Sequence, residues 1–240
     1  MIDTEGHMLV ALLLIEFLLL FFISQAVTKA IFFFFWRVTK NQHVAMSAVT
    51  LLLFPGTVIH ELAHLFTAEI MGVRTGKLTL VPEALGAQDT GVRAGSVAIA
   101  QTGPFRRALI GIAPVFVGLG SLGLLAYFIP GLLAENKIYW LILVGYLMFA
   151  ISNSLFSSAE DLKGFWPIAI IVSLGLIAAW IAGIRIELTG YILSTSITVL
   201  TALTKSIALV LALNILLLLM MNMGIVLLGY SRLRTSKKAD

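Results

Sequence analysis

The stretch Phe54–Val73, FPGTVIHELAHLFTAEIMGV, sets two histidines and two glutamates into an otherwise apolar run. His60 and His64 stand four apart, so on a helix both imidazoles project from one face. Glu61 falls on the adjacent edge of that face. Ionisable side chains of this kind belong in water, while the residues around them belong in lipid. The rest of the chain decides which solvent the stretch meets.

Of 240 residues, 60% are hydrophobic and 12% charged, with a mean hydropathy of +1.03. A soluble domain is about 45–50% apolar and about 25% charged. This chain cannot cover its apolar surface with polar groups, so its solvent is a lipid bilayer and it reads as one integral, multi-pass membrane domain over 1–240. There is no cysteine, which excludes disulfides, thiolate metal sites and cysteine nucleophiles. The opening MIDTEGHMLVALLLIEF carries acids where a signal peptide has a basic segment, and it reads as a retained span. The net charge of +4 resides mostly in loops and in the tail YSRLRTSKKAD. Such a pattern fits membrane orientation rather than nucleic acid.

Since about 20 apolar residues cross a bilayer, hydropathy predicts an all-α polytopic architecture of six spans. They fall within 8–36, 45–71, 107–129, 138–158, 165–184 and 206–229. Residues 186–205 are mixed and suit either an interfacial helix or part of a long last span. The segment 73–104 differs in kind. Glycines and two prolines break helices there, while KLTLV and GSVAIAQ carry strand-forming patterns, so a short membrane-associated β segment is predicted between spans two and three. With six spans and the amino terminus inside, ten lysines and arginines lie on the inner side against four outside. That count predicts both termini in the cytoplasm.

Two histidines at this spacing can grip one zinc ion, and the neighbouring glutamate can take a proton from water there without ligating the metal. A charge at mid-membrane depth costs at least about 2.5–3.5 kcal/mol on insertion scales, so an idle Glu61 beside two histidines is improbable. Counting about 1.5 Å per residue, His60 lies roughly 17 Å before the helix end near Met71, inside the hydrocarbon. A catalytic zinc usually has three protein ligands. The other histidines, His7 and His43, have no motif around them and read as interfacial, which leaves a carboxylate as the third ligand. Glu83 follows His64 by nineteen positions, a spacing that needs a second helix, yet VPEALG reads as a turn. Asp161 lies at the end of span four in ISNSLFSSAEDLKGFWP, with Glu160 beside it. Composition alone leaves the choice open.

Taken together, these residues resemble the site-2 proteases, intramembrane zinc metallopeptidases with HExxH on one span and an aspartate ligand on a later one. The family's aspartate usually stands eight positions after an asparagine in a pattern like N-x-x-P-x-P-x-L-D-G. Asn153 and Asp161 keep that separation. The family's prolines fall here on Phe156 and Ser158, its leucine on Glu160 and its glycine on Leu162. QTGPFRRALIGIAP, opening span three, is similar to the family's glycine–proline element. The likeness covers 45–165, the expected catalytic core, with no inserted PDZ-like domain.

The resemblance implies zinc held by His60, His64 and Asp161, with Glu61 as general base and then acid. It further implies that Asn153 holds the substrate backbone and that the substrate is a membrane-anchored protein, cut within or near a transmembrane segment in regulated intramembrane proteolysis. The metal is then buried because the scissile bond is buried, with water arriving from the cytoplasmic side. Pro55 and Gly56, one turn before the motif, can kink or thin the span or simply serve packing. Glu16, Glu69, Lys205 and Asn214 are further polar residues within apolar runs, candidates for a water path or for snorkelling. A non-proteolytic relative using the metal as a structural or sensory element is the alternative, against which Glu61 argues. An ion transporter would need an acidic route along several spans.

Overall fold

The computed structural model describes residues 4–79, 83–84, 92–93, 96–100, 102–156, 170–171, 173–175, 178, 181–183 and 190–236. Five helices dominate among the described residues: α1 (Thr4–Thr39), α2 (Gln42–Ile70), α3 (Pro104–Ala134), α4 (Ile138–Ser154) and α5 (Gly190–Ser236). Four of them, all but α4, are long and apolar enough to cross a membrane, and α4 is a shorter apolar helix of 17 residues. The outer faces carry large apolar side chains such as Phe22, Leu51, Phe116, Tyr139 and Leu219, each more than half exposed. A chain with that surface belongs in lipid. The expected fifth span falls mostly outside the described residues, with helical backbone at 170–171, 173–175, 178 and 181. From 190 onward, the stretch with mixed sequence belongs to α5, a helix of 47 residues.

Local sequence sets the helix ends. Between α1 and α2, Lys40 takes a positive φ of 58° and Asn41 caps α2, its side chain accepting from the His43 N–H at 2.9 Å. At the other end of α2, Gly72 adopts φ 66°. The Val73 N–H bonds to the Ala68 carbonyl at 2.9 Å and the Gly72 N–H to the Glu69 carbonyl at 3.0 Å. This is a Schellman closure, which satisfies two carbonyls that a helix end otherwise leaves open. Its apolar partner contact joins Val73 and Ala68, and both pack on Ile110 of α3. Asn136, with φ 51°, performs the same closure between α3 and α4.

Between α2 and α3 the described residues form four short strands: β1 (Thr75–Thr79), β2 (Glu83–Ala84), β3 (Val92–Arg93) and β4 (Ser96–Ile99). β1 pairs antiparallel with β4, Leu78 facing Val97 and Thr79 facing Ser96, with an irregularity between Thr75 and Leu78. β2 pairs with β3. The Ala100 N–H reaches the Arg74 carbonyl at 3.0 Å and extends the β1–β4 ribbon to the end of α2.

The packing order fixes helix directions. α1 and α2 form an antiparallel hairpin through Val27, Ile31, Val49 and Leu53. Leu20 of α1 shares a core with Ile207, Val210 and Leu211 of α5. Further along both helices, Gly224 of α5 meets the Phe34 ring. The offset of 190 between these numbers holds over fourteen residues, so α1 and α5 run parallel.

Candidate metal centre

The motif sits on the buried side of α2, with His60, Glu61 and His64 at 4%, 4% and 5% exposure. The two imidazoles converge. Their Nε2 atoms stand 3.2 Å apart and the rings meet edge to face at 83°. Two nitrogens each about 2.0–2.1 Å from one tetrahedral ion stand about 3.3–3.4 Å apart, so the observed separation matches an edge of such a site.

His64 is also fixed from behind, because its Nδ1 lies 2.9 Å from the Ile110 carbonyl oxygen. A carbonyl only accepts, so Nδ1 carries the proton, and in the neutral ring Nε2 keeps its lone pair. That tautomer is the one that ligates a metal through Nε2, and the carbonyl bond has the form of the outer contacts that orient ligating histidines. The donor chemistry therefore fits zinc at two of three positions.

Close helix contacts gather around this point. Gly56, one turn before His60, lies against the backbone of α4, where an added Cβ would overlap the Ala150 carbonyl and fall 2.6 Å from Ser154 Oγ. On α3, Gly118 faces the Leu155 side chain just past the end of α4. The last turn of α4 is thereby wedged between α2 and α3, a turn from the histidines. Beyond Phe156 the chain continues into the expected ligand segment, and Asp161 and Glu160 lie outside the described residues. Among the described residues no three His, Asp or Glu side chains group to hold a metal.

Asn153 is placed between α4 and α5. Its Nδ2 donates to the Phe149 carbonyl at 2.8 Å and to Asn214 Oδ1 at 2.7 Å, and Asn214 Nδ2 donates to Ser152 Oγ at 3.2 Å. The Phe149 carbonyl dictates the amide orientation, since only a donor can face it. Asn153 Oδ1 is left as a buried acceptor with no hydrogen-bond partner among the described residues.

The remaining polar candidates separate from the centre. Glu83 is on extended β2, its backbone opposite Arg93, rather than in the turn expected of VPEALG, and not on a helix. His43 is exposed in the first turn of α2. It precedes His60 by seventeen residues, about 25 Å along the helix. Glu69 accepts from Thr75 Oγ1 at 2.9 Å and joins the end of α2 to β1. Glu16 is buried in α1, with Oε2 lacking a hydrogen-bond partner among the described residues. Lys205 is exposed on α5. Sequence reasoning missed Ser152 and the Ile110 carbonyl; a backbone acceptor leaves little trace in residue identity.

The chain matches no family model, no curated protein and no solved structure.

Proposed function

We propose that the chain is an intramembrane zinc metallopeptidase of the site-2 type, cleaving a membrane-anchored protein within or near its transmembrane segment. The observation that carries this reading is the 3.2 Å approach of the His60 and His64 Nε2 atoms inside a buried, apolar helix that also holds Glu61. Zinc, when bound, supplies a Lewis acid that polarises a carbonyl and makes water a nucleophile at neutral pH.

His60 and His64 would hold the ion, with Asp161 as third ligand. Glu61 takes the proton from the attacking water and returns it to the leaving amine. A helical substrate must unwind before it is cut, since its amides are already hydrogen-bonded. The two-stranded β1–β4 ribbon offers an edge for the unwound peptide by strand addition. Asn153 Oδ1, held as an acceptor by Asn214 and Phe149, suits a substrate backbone N–H.

In this reading the motif, the β ribbon and the amino terminus lie toward the cytoplasm. With α1 and α5 parallel, the carboxyl-terminal end of α5 would lie on the opposite face, whereas the charge count predicts both termini in the cytoplasm.

The test is Glu61→Gln, assayed with a co-expressed single-span reporter and by zinc content. Cleavage falls by about 10²–10⁴-fold, the usual contribution of a positioned acid–base group, while zinc stays near one per chain. Unchanged cleavage in that variant would refute the protease assignment.

A further inference from the structure

We infer that Pro114 is a positioning residue for His64, acting through the carbonyl of Ile110. This rests on the zinc reading above and adds to it a device built into α3. Pro114 lies inside that helix and is buried. In an α-helix the N–H of residue 114 would bond to the carbonyl of residue 110. Proline has no N–H, and its ring crowds the carbonyl four residues back. The Ile110 carbonyl is therefore released from its helix at the level where it faces α2, and it accepts the His64 Nδ1–H at 2.9 Å.

The arrangement serves two needs at once. A buried carbonyl deprived of its helix partner is costly unless another donor reaches it. His64 provides that donor, and the same bond holds the imidazole as the Nδ1–H tautomer with Nε2 turned toward His60. Ile110 is itself anchored, 2% exposed and packed on Ala68 and Val73 at the Schellman end of α2. The carbonyl thus keeps its position relative to His64 through apolar contacts on the same two helices. Pro130, sixteen residues further along α3, makes the natural comparison, because it lies in the same helix and its carbonyl partner would be Ala126 rather than Ile110.

The experiment compares the native chain with Pro114→Ala and Pro130→Ala, each reconstituted in lipid. Two quantities are read: the ¹⁵N shifts of the histidine rings in metal-free protein at about pH 8, where unperturbed imidazole is neutral, and the zinc dissociation constant in a chelator-buffered series. Alanine at 114 restores the N–H and lets the helix compete for Ile110. A carbonyl has two lone pairs, so the effect is a shift of population rather than complete loss.

The expected result is a single Nδ1–H tautomer for His64 in the native chain, a mixture in Pro114→Ala, and zinc affinity weakened by about 10-fold, the low end of the cost of losing an outer-shell partner outright. Pro130→Ala should match the native chain in both readings. An unchanged tautomer and unchanged affinity in Pro114→Ala would overturn the inference, as would equal shifts in both variants. If the native chain takes up no zinc while the tautomer still shifts in Pro114→Ala alone, the positioning role stands and the metallopeptidase reading fails.

Discussion

Gly56 of α2 lies against the carbonyl of Ala150 on α4 with no room for a Cβ between them. The contact joins the helix that bears the motif to the one that leads toward the proposed third ligand. A bulkier residue here pushes apart the two elements that a metal would have to join.

Gly56→Ala should therefore destabilise the fold by about 1–3 kcal/mol, the usual cost of overpacking a tight core. The obstacle is backbone, which cannot rotate aside. Gly118→Ala should cost less, because the atom in the way is the far end of the Leu155 side chain. Thermal unfolding of both variants in lipid checks the order, and a milder effect at Gly56 would contradict it.

The third ligand can be resolved by metal content. Asp161→Ala should lose most zinc and all reporter cleavage, since two histidines alone leave the ion short of protein ligands. Glu160→Ala and Glu83→Ala should keep it. Adjacent helical positions differ by about 100° around the axis, so on a helix Glu160 and Asp161 could not both face one ion. Zinc lost from Glu83→Ala and kept in Asp161→Ala would reverse the assignment.

The Asn153–Asn214 bond, at 2.7 Å, ties α4 to α5 in an apolar setting. Removing one partner leaves a buried polar group unsatisfied, at about 1–3 kcal/mol. A double-mutant cycle with Asn153→Ala and Asn214→Ala should give a coupling of about 0.5–3 kcal/mol. Strict additivity would show that the two amides do not act as a pair.

Topology is open to chemical labelling. With α1 and α5 parallel, cysteines introduced at Thr75 and Ser236 should lie on opposite faces. An impermeant thiol reagent applied to intact cells should label Ser236→Cys and spare Thr75→Cys until the membrane is opened. Protection of both would instead match six spans with both termini in the cytoplasm.

Much of this molecule is legible in residue order because its signals are local. Apolar runs long enough to cross a bilayer mark α1, α2, α3 and α5, and Gly72, Pro104 and Asn41 mark helix ends by their own backbone or side-chain chemistry. The spacing of His60, Glu61 and His64 predicts a shared face for the same reason: a helix has one period. Other features have no local signature. That α5 runs parallel to α1, that Gly56 meets Ala150, and that Ile110 turns a carbonyl to His64 all depend on which helix lies beside which. Hydropathy counts apolar residues without assigning them neighbours, so it yields six candidate spans but cannot align the first with the last. Packing decides that, because only one alignment buries Leu20 against Ile207 and Val210 while seating the Phe34 ring on Gly224.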